Sequence, residues 1–235
     1  MNISETIHLL GDLLGEVLIA QESRELFDIE ERIRASAKQR RSDDPLQAKA
    51  GAQALENEIA LLHVDEARVV ASAFALYFDL VNTAEDNYRV SVLRQEALDN
   101  SPDPVHDSIE EAVQLLKASG LTDEQMTELL KKLRIELVLT AHPTEARRRT
   151  ILSKVARIAE ALHTAADRHL LPHEEERIRQ AILHEITLLW LTDRKRAVQV
   201  TPTDEVRTAL YFVGQVFWNA LPEVYDRLQR ALDRY

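Results

Sequence analysis

Apolar positions recur at helical spacing along most of this chain. Ile7, Leu10, Leu14, Val17 and Leu18 fall on one face, because residues three and four apart lie side by side on a helix. A charged helix is expected around 26–38. Asp44-Pro45 opens another, since proline is favoured in a first helical turn. The segment 66–90 is long and strongly apolar, with Val69, Val70, Phe74, Tyr77, Phe78 and Val81, and is expected to be a central core helix. Asn100-Ser101-Pro102-Asp103-Pro104 is the clearest loop. Asp107 or Ser108 then caps a helix that stops at Gly120. Thr122, with Gln125 three residues on, has the spacing of a capping box for the next helix.

The pattern changes once. The run 135–140 is short and largely apolar and reads as a buried strand. Ala141, His142 and Pro143 end it, and helices resume at 144–168, 174–191 and 203–220. Leu171-Pro172 and Thr201-Pro202 mark the breaks. Pro222 is expected to end or kink the third of these helices, and an amphipathic helix follows from 223. Tyr211, Phe212, Trp190 and Trp218 read as core aromatics. A lone buried strand leaves its backbone groups without partners, so the pattern implies missing strands and an incomplete chain.

Composition narrows the functional classes. Of 235 residues, 45% are hydrophobic and 29% charged, and only five glycines and seven prolines interrupt them, which favours helix. The formal net charge of −11 argues against a nucleic-acid partner, whose binding rests on excess Lys and Arg. No cysteine is present, so disulfides and thiolate metal sites are excluded; a cytoplasmic location is expected. The N-terminus lacks the pattern of a secretory signal. No apolar run approaches the ~20 residues that span a bilayer, so no membrane partner is expected.

Candidate chemistry concentrates at the end of the expected strand. Thr140-Ala141-His142-Pro143-Thr144-Glu145 is followed by Arg147, Arg148, Arg149 and Thr150. A histidine at a strand's carboxyl end stands where α/β barrels hold their reactive groups, and imidazole moves protons near neutral pH. A strand-end histidine more often only satisfies local hydrogen bonds. Thr144 and Glu145 read as an N-cap and a first-turn acid favoured by the helix dipole. His169 and His173 have a metal-binding spacing, but Pro172 lies between them and a loop is the simpler reading. His184 and Glu185 read as packing or surface on an amphipathic helix.

These residues closely resemble a signature of phosphoenolpyruvate carboxylase, in which a catalytic histidine lies in Thr-Ala-His-Pro-Thr-Glu followed by paired arginines. The resemblance extends to Leu10-Gly11-Asp12-Leu13-Leu14-Gly15-Glu16, to Asn82-Thr83-Ala84-Glu85, to Trp190-Leu191-Thr192-Asp193 and to Pro202-Thr203-Asp204-Glu205. Arg194-Lys195 and Gln199-Val200 depart from the family pattern. The resemblance implies a mainly α chain, with a many-helix N-terminal region at 1–133. At 134–235 it implies the start of an α/β, TIM-like barrel, with its first strand at about 135–140 and truncated at the C-terminus.

The activity so implied is carboxylation of phosphoenolpyruvate by bicarbonate to oxaloacetate and phosphate, an anaplerotic carbon fixation that feeds the tricarboxylic acid cycle. His142 is the implied base and Arg148 the candidate substrate-binding arginine, while Arg147 is expected in solvent. The family's Mg²⁺ (or Mn²⁺) would be held downstream of residue 235, so no metal ligand is assigned in this segment. The resemblance also implies a homo-tetramer. Residues 1–235 alone are expected to be inactive. Two alternatives stand beside this: a non-catalytic helical interaction or regulatory module derived from the same fold, and a phosphotransfer enzyme with His142 phosphorylated.

Overall fold

A computed structural model describes residues 2–101, 103–136, 138, 149–166, 170–193 and 201–234. The described residues form ten α-helices: α1 (Ile3–Gln21), α2 (Arg24–Gln39), α3 (Pro45–Leu61), α4 (Val64–Asp99), α5 (Ile109–Ala118), α6 (Asp123–Lys132), α7 (Arg149–Ala165), α8 (Pro172–Trp190), α9 (Pro202–Phe212) and α10 (Trp218–Arg234). A π-helical segment, Val213–Phe217, joins the last two. The mainly α expectation holds, and no strand forms among the described residues.

Local chemistry explains most helix starts. The Asn2 side chain accepts from the Glu5 backbone N–H, and the Glu5 carboxylate accepts from the Asn2 N–H, so two orphan donors of α1 are satisfied reciprocally. Thr122 and Gln125 do the same for α6, as do Thr201 and Asp204 for α9. Ser108 caps α5 by accepting from the Glu111 N–H at 3.1 Å. Asp44 caps α3, with Pro45 in the first turn. Gly120, at φ +81°, ends α5 in the left-handed conformation that glycine adopts without steric penalty.

The chain divides into two compact units. The first comprises Met1–Arg89 and Arg148–Arg194. Its core is built by four helices: α1 supplies Leu10, Leu13, Leu14, Val17 and Leu18, and α4 supplies Ala73, Leu76, Leu80 and Ala84. From α7 come Ile151, Ile158 and Leu162, and from α8 Ile182, Ile186 and Leu189. Each fully buried Leu or Ile contributes ~1.5–3 kcal/mol. Polar ties cross the same helices: Asn87 on α4 donates to the Ala159 carbonyl of α7 at 2.9 Å, and Trp190 Nε1 donates to Glu22 at 3.1 Å. Helix α2 packs on α1 and α3. At Gly51 a Cβ would overlap the Arg40 backbone nitrogen, so the α2–α3 approach depends on the missing side chain.

The expected core helix forms as α4, but not every apolar residue named for it turns inward. Val69 and Val70 are buried, but Phe78 is 59% exposed and the buried stripe runs through Ala73, Leu76, Leu80 and Ala84. This helix is apolar on several sides, so its period alone does not select a face.

The second unit comprises Val90–Arg147 and Lys195–Tyr235. Here α5 packs on α10, burying Val113 and Ala231. The Lys117 ammonium donates to the Leu232 carbonyl at 2.6 Å. Most of the apolar surface of α9 and the first half of α10 is exposed. Phe212 and Trp218 are exposed, the latter by 76%, rather than core as expected, because nothing among the described residues covers that stretch. The break expected at Pro222 also lies elsewhere. Pro222 stands inside α10, and the irregularity comes upstream, where Trp218 N–H bonds back to the Val213 carbonyl in a five-residue turn.

Candidate functional site

His142, Arg148 and the rest of 139–148 lie outside the described residues, as do Arg194-Lys195 and Gln199-Val200. The flanks of the segment are described. On the upstream side Ile135, Glu136 and Val138 are neither helical nor strand, and Ile135 and Val138 are 77% and 81% exposed. Arg134 and Glu136 pair at 3.1 Å in solvent. On the downstream side Arg149 and Thr150, the tail of the motif, form the exposed first residues of α7.

Helix α7 is firmly held. Ile151, Ile158 and Leu162 anchor one face in the core of the first unit. On a second face Lys154 and Arg157 meet the carboxylate of Glu185 on α8. Arg157 Nη1 donates to Glu185 Oε1 at 3.0 Å, and Lys154 Nζ stands 3.6 Å from Oε2. Glu185 is only 9% exposed, and Oε2 is buried without a hydrogen bond. Sequence reading placed Glu185 on a packing or surface face; it is a buried ionic contact. Its partners lie 28 and 31 positions away, a spacing with no local periodic signal.

Other matched segments serve structure. Thr83 and Ala84 of Asn82-Thr83-Ala84-Glu85 are buried, while Asn82 and Glu85 face solvent. Pro202-Thr203-Asp204-Glu205 is the capped first turn of α9. His173 is exposed in the first turn of α8 and His169 lies outside the described residues; His184 is exposed.

One histidine–carboxylate grouping occurs among the described residues, at His106, Asp107 and Glu111, with ligand-type atoms within 4.8 Å of one another. It does not fit a Mg²⁺ or Mn²⁺ centre, which favours several oxygen ligands. His106 Nδ1 lies 3.1 Å from Glu111 Oε1, and the Asp107 N–H donates to Glu111 Oε2 at 2.7 Å. The Glu111 carboxylate raises the His106 pKa, and His106 lowers that of Glu111; the pair links an exposed loop residue to the first turn of α5. No helix among the described residues is long and apolar enough to cross a membrane.

Comparison with known proteins agrees with the motif. The family profile described as phosphoenolpyruvate carboxylase matches residues 3–235. The chain is 36% identical over 234 residues to the phosphoenolpyruvate carboxylase of Rhodothermus marinus, covering 99% of this chain and 25% of that protein. It is 38% identical over 231 residues to that of Roseiflexus castenholzii, covering 98% of this chain and 24% of the relative. The Thermus sp. (strain 71) protein of the same name is 33% identical over 232 residues. The chain therefore spans about a quarter of the length of the curated relatives it matches.

Proposed function

The chain belongs to the phosphoenolpyruvate carboxylase family, and from that premise we propose that it takes part in carboxylating phosphoenolpyruvate with bicarbonate as the leading portion of a longer polypeptide. The observation that carries this reading is the family match across residues 3–235, which includes the His142 hexapeptide in its expected order. The run 135–140 is read as the first strand of a TIM-like barrel, and 134–235 as the beginning of the barrel region after the helical 1–133. Strands from residues beyond this chain would complete it, which accounts for the exposure of Ile135 and Val138.

The chemistry proceeds in balanced steps. A bicarbonate oxygen attacks the phosphorus of phosphoenolpyruvate; the bond from phosphorus to the enol oxygen breaks and gives carboxyphosphate and the enolate of pyruvate. His142 takes the carboxyl proton of carboxyphosphate. The carbon–oxygen bond to phosphate then breaks, releasing CO₂ and inorganic phosphate. The enolate carbon attacks CO₂ to form oxaloacetate. A neutral imidazole suits the proton-accepting step near neutral pH. Arg148 would hold phosphoryl oxygens through a charge-assisted fork. Mg²⁺ or Mn²⁺, implied by the family resemblance, would be held by residues beyond Tyr235 and would stabilise phosphoryl and enolate oxygens. A cytoplasmic homo-tetramer is the accompanying proposal.

The test is a chimera in which residues 1–235 replace the matching quarter of the Rhodothermus marinus relative. The chimera should form oxaloacetate. His142→Asn should lower that rate by roughly 10²–10⁴, the usual range for general acid–base assistance, while phosphate release persists with pyruvate as co-product. Equal loss of both products would place His142 in binding or phosphoryl transfer. Phosphate trapped covalently on His142 would favour the phosphotransfer alternative.

A further inference from the structure

We propose that the α2–α3 hairpin is a proton-controlled flap, docked on α1 while Glu30 is protonated and released from it when Glu30 ionises. The device lies wholly within the first unit and does not depend on the reading of His142.

The hairpin is lightly attached. The core of the first unit is built by α1, α4, α7 and α8, and no residue of α2 or α3 belongs to it. Phe27 is the hairpin residue that packs against that core, and it is only partly buried. Besides Glu30, the buried residues of the hairpin are Ile33 and Gly51, and Gly51 is buried where α3 meets the end of α2. Release would therefore leave the four-helix core closed. Two-residue junctions flank the hairpin, Glu22-Ser23 before α2 and Leu62-His63 after α3, and supply its hinges. Segments with few buried apolar contacts are the ones that open locally.

Glu30 sits in the middle of the docked face. Phe27, Glu30 and Arg34 are spaced by three and four positions, so they share one side of α2. Phe27 lies where a Cβ on Gly15 of α1 would stand, and Arg34 is close enough to Tyr77 of α4 for their charges to interact. Glu30 between them is only 7% exposed. The charged groups around it do not compensate its charge. On α2, Glu31 opposes ionisation; Arg34 favours it but is bonded to Glu31 at 2.9 Å. On α3, Glu58 is taken by Arg32 at 3.1 Å, and Lys49 and Glu56 are exposed. On α1, Glu16 pairs with Arg179, Glu22 accepts from Trp190, and Asp12 is exposed. A carboxylate ionised in such a place must be desolvated without a partner, which is costly.

The titration has the matching sign. Burial, and then the Glu31 carboxylate, raise the Glu30 carboxyl from 4.5 to about 7. In a released hairpin the side chain is solvated and returns toward its ordinary value. The docked form therefore holds the proton more tightly. Its support for docking is full below pH 4.5 and is lost as pH rises through about 7. The lightly buried hairpin, rather than the four-helix core, is the part that gives way.

The test is a distance measurement on the whole chain. It has no cysteine, so Gln47→Cys on α3 and Arg177→Cys on α8, both exposed, give two clean sites for nitroxide labels. Labelled chain diluted into unlabelled chain is compared at pH 6 and pH 8.5 by pulsed electron paramagnetic resonance. A single distance at pH 6 should be joined at pH 8.5 by a longer one, with the released-to-docked ratio raised at least about tenfold. Glu30→Gln keeps the shape without the charge and should show the docked distance alone at both values. Glu31→Gln, at a side chain 38% exposed, removes the neighbouring negative charge and should shrink the response; it serves if Glu30→Gln fails to fold. Identical distances in the wild type at both pH values overturn the proposal, even if overall stability falls with pH. A full response in folded Glu30→Gln, or an undiminished one in Glu31→Gln, assigns the trigger to another group and overturns it too.

Discussion

Arg227 grips Glu110 with two parallel hydrogen bonds, Nε to Oε1 at 3.2 Å and Nη2 to Oε2 at 2.9 Å. The contact joins α10 to the first turn of α5. The guanidinium holds the Glu110 carboxyl below its ordinary range. The folded value lies under the unfolded one, so the contribution is present above the unfolded value and is lost as pH falls through the folded one. The pair is partly exposed and should contribute only ~0.5–1 kcal/mol. Arg227→Met should lower stability by that amount at pH 7 and by less at pH 3, measured by urea unfolding.

Glu30 should behave in the opposite sense. It is buried on α2; burial, with the neighbouring Glu31 carboxylate adding, pushes its carboxyl from 4.5 up to about 7, and Arg34 only partly offsets this. The folded protein binds the proton more tightly than the unfolded chain. That stabilisation is full below pH 4.5 and is lost as pH rises through about 7. Glu30→Gln should therefore be about 1–3 kcal/mol more stable than wild type at pH 8 and lose the difference near pH 4. Equal stability of the two proteins at pH 8 would remove the argument.

Gly51→Ala should destabilise the first unit, although alanine is the better helix former. The added Cβ meets backbone atoms of Gln39 and Arg40 rather than a yielding side chain. Overpacking of that kind costs ~1–3 kcal/mol, more than the ~1 kcal/mol gained in propensity. A raised melting temperature would mean that α2 and α3 can separate freely.

Residues 1–235 alone should form no oxaloacetate above a metal-free control, since the divalent-metal site is assigned elsewhere. The same chain should bind an apolar dye and self-associate. Val206, Leu210, Val213, Trp218, Leu221 and Tyr225 are all exposed, and contiguous apolar surface promotes association. Leu210→Glu with Leu221→Glu should reduce association in sedimentation velocity. A strictly monomeric wild type without dye binding would contradict this.

Sequence legibility followed the range of the interactions. Caps and stops are local, and Asp44-Pro45, Thr122 with Gln125, and Gly120 were readable because each signal and its effect lie within one turn; for α5 the choice was narrowed to Asp107 or Ser108, and Ser108 is the cap. The inward face of α4 was not, because Phe78 and Leu80 are both apolar and only tertiary packing chooses between them. The Glu185 contact was invisible for the same reason: nothing in the local sequence ties position 185 to 154 or 157. At His142 only the motif was legible, and the residue lies outside the described residues.

The π turn at Val213–Phe217 behaves as one residue added to an otherwise continuous helix. In a regular helix an added residue rotates everything beyond it by about 100°, but a wider turn takes that residue up. Leu221 and Val224 therefore point, relative to Val206 and Leu210, as they would on a helix one residue shorter. Deleting Gly214 would let the α-helical ladder close and leave both sets of side chains aimed as they are. A single-codon deletion would thus mend the hydrogen-bond ladder without re-aiming this surface.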